Sequence, residues 1–254
     1  MLDEILSTNL FAFFLLSARL GGAMMLLPGF GEAVVSQRVR VSLTLAVALA
    51  VFPLIGPALP GMPASLAGLF GLILMEVVIG AFLGGSARVM MSALHVAGTV
   101  ISFQSSLGFA QTVDPAAQSQ GAVVSSLLGL LGVVLIFATG LHYLLLKALI
   151  DSYILFPAGG FPPVGDFAEL LVKIVVGAFT LGVRIAAPFV VYGLVFYVCL
   201  GLLGRLMPRI PLFFVVMPLQ ILLSLAVLAI VLPAIMLWFL SYFESSITQL
   251  LAVT

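Results

Sequence analysis

The chain has 254 residues, of which 63% are hydrophobic and only 7% charged, with nine basic and nine acidic side chains and no net charge. Soluble domains carry roughly 25% charged residues because their surface must face water, so a mean hydropathy of +1.37 over this length excludes a soluble globular protein. Zero net charge removes the electrostatic case for nucleic-acid binding, and the lone Cys199 excludes an intramolecular disulfide or a cysteine metal cluster.

Within lipid every backbone amide must be satisfied, which leaves helices or closed barrels. Barrel strands would alternate polar and apolar residues, and the apolar runs here do not. The expectation is an all-α, polytopic membrane protein with about six long hydrophobic helices, near 9–27, 40–58, 66–94, 122–150, 170–204 and 211–240.

The first run opens MLDEILSTNLFAFFLLSARL, with Asp3 and Glu4 where a signal peptide carries positive charge, which predicts an uncleaved helix. Arg19 lies inside this run, beside Gly21 and Gly22. Pro28-Gly29 closes it, and Pro57 to Pro63 separates the second run from the third. In the third, Glu76, Gly80, Gly84 and Arg88 recur every four residues, about 400° of helix, and so form one slowly drifting stripe. Glu76 and Arg88 stand roughly 18 Å apart along the axis, too far to pair with one another. Glycines at that spacing admit a neighbouring helix, so the stripe predicts a helix–helix contact face with each charge paired elsewhere. Arg88 has a second reading, snorkelling to the interface from near the helix end.

Residues 95–121 are expected to form a connection rich in Gln, Ser, Ala and Gly with one charge, Asp114. An ordinary cytoplasmic loop would be more charged. Non-helical backbone at membrane depth survives only inside protein or beside a water-filled cavity, so a re-entrant or pore-lining segment is one reading. A weakly polar surface loop is the other.

The last three runs are long enough to require tilt or kinks, and Pro188, Pro218 and Pro233 lie within two of them. Arg184 sits inside the fifth run, between Gly182 and Ala186-Ala187. Lipid-facing arginine is costly, so Arg19 and Arg184 are both expected to pair with carboxylates of this chain or of a neighbour. For orientation, Arg38, Arg40, Arg88, Arg205 and Arg209 collect on one side and Lys147 and Lys173 on the other. The positive-inside rule then puts both termini in the periplasm. Phosphate-loop, zinc-pair and nucleophile-elbow signatures are missing from the sequence, and His95 and His142 have no carboxylate cluster around them. Catalysis and cofactors are not expected.

Four stretches carry a resemblance: ARLGGAMMLLPGFGEAVVSQRVRVSLTLAVALA (18–50), MEVVIGAFLGG (75–85), Phe103 through GFAQTVDPAAQSQ to Gly121, and LHYLLLKALIDSYILFPAG (141–159). In their order and spacing, over nearly the whole chain, they resemble the FliR family, flagellar relatives of the type III secretion export-apparatus proteins. The resemblance implies a single export-gate membrane domain, with a FliP-like part (1–169) followed by a FliQ-like helical hairpin (170–254). It implies a core subunit of a flagellar protein-export gate in the bacterial inner membrane, assembled with FliP-like and FliQ-like subunits and associated with FlhB and the FlhA platform. Unfolded flagellar proteins would pass through, and a loop over 104–120 would plug the closed pore. That loop contains Gln104, Ser105, Ser106, Leu107, Gly108, Phe109, Ala110, Gln111, Asp114 and Pro115. Glu76, Gly80, Gly84, Arg88, Arg19 and Arg184 would serve helix and subunit packing. Two rivals remain open at this stage: a secondary transporter or small-solute channel, suggested by an intramembrane carboxylate and proline-broken helices, and a purely structural assembly factor.

Overall fold

The computed structural model describes residues 2–107, 123–160, 164–207 and 212–251, without the side chains of 2–8, 164, 166, 212–215 and 251. Among these residues the fold is all α-helix: α1 (Leu2–Met24), α2 (Gln37–Ile55) with a short 3₁₀ turn after it (Gly56–Ala58), α3 (Leu66–Gln104), α4 (Val123–Ala138), α5 (Leu141–Leu155), α6 (Val164–Leu206) and α7 (Leu212–Leu251).

Two boundaries differ from the sequence expectation for identifiable reasons. Residues 95–104 are not loop; they complete α3, because Thr99 returns its hydroxyl to the His95 carbonyl and the apolar positions Ala97 and Ile101 remain buried. The fourth hydrophobic run is not one helix either. It breaks into α4 and α5, which meet at 75°. Gly140 stands at the break with φ of 78°, a left-handed conformation that glycine adopts without steric cost and that a continuing helix cannot contain. Hydropathy alone runs smoothly across this corner.

Among the described residues, four helical segments are long and apolar enough to cross a membrane: Gln37–Ala58, Leu66–Gln104, Phe167–Leu206 and Val216–Leu250, with a fifth if α4 and α5 count as one broken span. The apolar part of α1, Asn9–Met24, is shorter than these, so the expected count of about six long hydrophobic helices is approximate. The chain continues helically through Pro53, Pro188, Pro218 and Pro233.

Helix length is the dimension that constrains the fold most. With 39, 43 and 40 residues, α3, α6 and α7 run roughly 58–65 Å at 1.5 Å per residue. A hydrocarbon layer about 30 Å thick would hold such rods only at tilts near 60°, beyond the usual range of 0–40°. Yet their surfaces carry exposed Leu, Val and Phe along most of that length, from Leu66 and Phe70 to Leu202 and Leu206.

The chain divides into two compact units. One comprises Met1–Met90, Ile136–Val175 and Phe243–Thr254; the other comprises Met91–Leu135 and Val176–Tyr242. In the first, α1 packs on α2, and Leu15, Leu16, Leu20, Ile79 and Leu149 are buried. Ser36 caps α2 by accepting from the Val39 amide, while the Arg40 guanidinium donates to the carbonyls of Phe30 and Glu32 and so closes the preceding turn. In the second unit Ile185, Phe189, Ile235 and Phe239 form the interior.

Candidate functional site

Polar side chains buried in so apolar a chain call for partners; the Ser102 and Ser224 hydroxyls have none among the described residues, but two clusters of buried polar groups are bonded together. The first lies between α1, α3 and α5. Arg19 and Glu76, both fully buried, form a two-pronged pair: Nε donates to Oε2 at 2.6 Å and Nη2 to Oε1 at 3.0 Å. The remaining guanidinium donors reach α5. Nη1 donates to the Ser152 hydroxyl at 3.1 Å, and Nη2 also reaches the Phe156 carbonyl at 2.9 Å. Ser152 in turn donates to the Leu149 carbonyl. The Tyr153 ring lies 3.7 Å from the guanidinium carbon, a cation–π contact that gains strength where water is excluded. One arginine thereby joins three helices, and its planar fork suits a carboxylate better than a lysine would.

This pairing requires α1 and α3 to approach at backbone distance, and glycine permits it. A Cβ on Gly80 would overlap the Arg19 carbonyl oxygen, one on Gly84 would overlap the Ala23 carbonyl oxygen, and one on Gly22 would stand 2.7 Å from the Val77 carbonyl oxygen. Glu76, Gly80 and Gly84 thus meet α1 together. Arg88, next along the stripe, is exposed, as is Arg184 on α6, and neither has a hydrogen bond or ion pair among the described residues.

The second place is the end of α3, in the other unit. Gln104, Ser105, Ser106 and Leu107 are described; Gly108, Phe109, Ala110, Gln111, Asp114 and Pro115 lie outside the described residues. Ser106 takes φ of 59°, the left-handed conformation that commonly stops a helix and that costs a non-glycine residue about 1 kcal/mol or more. Gln220 of α7, almost fully buried, meets this turn. Its amide nitrogen donates to the Gln104 carbonyl at 2.7 Å and to the Tyr197 hydroxyl at 3.3 Å, while its amide oxygen accepts from the Ser106 hydroxyl at 2.8 Å. Gly193 of α6 packs on the Gln104 side chain so closely that a Cβ there would overlap the Gln104 amide oxygen.

Sequence reasoning missed Gln220, Tyr197, Ser152 and Tyr153. The available signal for Gln220 was a lone amide in the middle of the apolar run 211–240. Replacing Gln220 with leucine leaves the Ser106 hydroxyl and Gln104 carbonyl unmatched, a local cost of about 1–3 kcal/mol. Faster amide exchange at Ser105 and Ser106, read by mass spectrometry, is the expected result, and unchanged exchange would count against the role of this contact.

No group of three or more His, Cys, Asp or Glu suited to a metal ion occurs among the described residues. Chemically, the two sites can hold helices and a turn in place; neither presents a nucleophile with a base.

The family described as bacterial export proteins, family 1, matches residues 10–246. The flagellar biosynthetic protein FliR of Caulobacter vibrioides is 40% identical over 212 residues, which cover 84% of this chain and 84% of that protein. FliR of Escherichia coli is 29% identical over 210 residues, covering 82% of this chain and 79% of its own. The Yop proteins translocation protein T of Yersinia pestis is 24% identical over 234 residues, covering 87% and 85%.

Proposed function

The chain belongs to the bacterial export proteins, family 1, within the FliR group of flagellar export components, and from that premise we propose that it is a core subunit of the flagellar type III export gate. It assembles with FliP-like and FliQ-like subunits around a passage through the cell inner membrane for unfolded flagellar proteins, with FlhB and the FlhA platform as neighbours. Residues 1–169 form its FliP-like part and 170–254 its FliQ-like hairpin. Both termini face the periplasm.

One observation carries this reading furthest: three helices about twice as long as a bilayer's hydrocarbon layer is thick, apolar on their exposed faces over most of that length. Lipid covers only part of such rods, and the remainder calls for other proteins. Recovery of FliP-like and FliQ-like chains by mass spectrometry after purification from native membranes is the direct test. A chain always recovered alone would sink the reading.

The segment 104–120 plugs the closed pore. Its small, mostly uncharged side chains fill space without gripping a passing polypeptide. Deleting residues 106–113 is expected to leave an assembled gate that leaks ions, measured as dissipation of the membrane potential; a tight, normally assembled gate would favour the purely structural alternative. The transporter reading loses its main support. Glu76, the intramembrane carboxylate that suggested it, has both oxygens bonded to Arg19, whose charge it balances. The energy for export comes from other subunits.

A further inference from the structure

The exposed side of α6 is apolar over most of its length, with Val176, Phe179, Val183, Val191 and Leu194 all open. One residue in the middle breaks that pattern. Arg184 is exposed, and its guanidinium has no hydrogen bond or ion pair among the described residues. It has no room to turn inward, because the other side of α6 is filled. Ile185, Ala186 and Phe189 are buried there, and a Cβ on Gly182 would stand 2.9 Å from the Val96 side chain and 3.0 Å from the Ala93 carbonyl oxygen of α3. Nor does it reach a polar boundary along the helix. The nearest exposed basic residues of α6 are Lys173 and Arg205, roughly 17 Å one way and 32 Å the other. That is beyond the span of one side chain, so snorkelling does not solvate it.

The backbone adds a second unanswered group. Pro188 lies inside the helix and has no N–H to give the carbonyl four residues earlier, which is that of Arg184. Thr180, one turn before Arg184, is exposed, and its hydroxyl has no hydrogen bond among the described residues. A charged donor, a carbonyl and a hydroxyl thus collect on one apolar surface, where contact with hydrocarbon is costly.

The other buried arginine shows what satisfies such a group. Arg19 meets the Glu76 carboxylate, the Ser152 hydroxyl and the Phe156 carbonyl, across a seam of glycines. The outward neighbours of Arg184 are likewise small or compact, Thr180, Ala187 and Pro188, which lets another helix come close. The missing part is the acid. Glu76 is already bonded to Arg19 and Glu169 to Lys173, and no carboxylate among the described residues pairs with Arg184.

Resting on the export-gate reading, we propose that Arg184 is one half of a subunit contact: an aspartate or glutamate on an apolar helix of a neighbouring chain meets the guanidinium between Thr180 and Ala187. The carboxylate matches the planar fork and cancels its charge. Each charge is poorly placed until the two chains join, so the pair favours the right neighbour over any apolar helix that lacks the acid.

Photocrosslinking in the native membrane tests this without disturbing the charge. With p-benzoylphenylalanine in place of Ala187, light is expected to join the chain to one neighbour, and peptide mapping to place the joined residue within about one helical turn of an Asp or Glu in an apolar segment. Arg184→Glu is expected to lower recovery of that neighbour about tenfold or more, and Arg184→Lys to lower it less. Changing the neighbour's acid to arginine is expected to restore recovery against Arg184→Glu. A joined helix without a nearby carboxylate, joining to lipid alone, or undiminished recovery with Arg184→Glu overturns the proposal. If Arg184→Glu only depletes the chain, the crosslink map from the protein that keeps Arg184 decides by itself. FliP-like and FliQ-like chains that co-purify normally, while position Ala187 meets no acid-bearing helix, leave the export gate standing and remove the contact. An acid-bearing helix from a protein outside the export apparatus keeps the contact and removes the gate.

Discussion

Glu76→Ala is expected to deplete the chain from the membrane and to abolish its co-purification with export-gate partners. The alanine removes one half of a pair in which both members are wholly buried. Arg19 is then left with Ser152, the Phe156 carbonyl and the Tyr153 ring, none of which carries the compensating charge. Stranding a buried ion in this way costs about 3–5 kcal/mol, comparable to much of the stability of a typical domain, about 5–15 kcal/mol. Removing both charges should hurt less than removing one, because apolar replacement of a whole buried pair is often close to neutral. The double variant Arg19→Leu with Glu76→Leu is therefore expected to regain a good part of the lost abundance. Immunoblots of membranes and thermal unfolding in detergent measure both. A Glu76→Ala protein with normal abundance and normal partners would show that the pair does not hold the three helices.

Gly80→Leu is expected to be nearly as damaging, through shape instead of charge. The first side-chain carbon already falls on the Arg19 carbonyl oxygen and within 3.0 Å of the Ala23 amide nitrogen. These are backbone atoms, so no rotamer change relieves the overlap, and α1 and α3 must separate. Overpacking costs about 1–3 kcal/mol where side chains can yield, and here the separation also lengthens the Arg19–Glu76 pair. Gly71, on the same helix with open space around its Cβ position, supplies the control. Gly71→Ala should be neutral or slightly stabilising, since alanine favours helix over glycine by about 1 kcal/mol. Equal unfolding temperatures for Gly80→Leu and the parent would refute the close approach.

Much of this architecture is legible in the sequence because lipid imposes coarse rules. Composition alone yields helices in a membrane, and the breaks at Pro28-Gly29 and from Pro57 to Pro63 fall between α1, α2 and α3. What the sequence hides is of two kinds. Hydropathy reports the apolar character of a run and not its direction, so the corner at Gly140 passes unnoticed, and the polar tail of α3 from His95 to Gln104 passes for loop. Pairing is hidden more deeply. Arg19 and Glu76 each attract attention as charges within apolar runs, yet they stand 57 positions apart in the chain, and no local pattern says that one answers the other. Gln220 is harder still, since its partners are a backbone carbonyl and two hydroxyls that leave no trace in composition.

The Arg19–Glu76 pair also bears on how the polypeptide is made. A ribosome delivers α1 first, and Glu76 is not yet synthesised when Arg19 reaches the bilayer. A lone arginine at a helix centre costs roughly 2.5–3.5 kcal/mol on insertion scales, and the apolar stretch around it, Asn9–Met24, is short. The nascent α1 is thus expected to anchor poorly by itself, since the carboxylate that balances Arg19 comes only with α3.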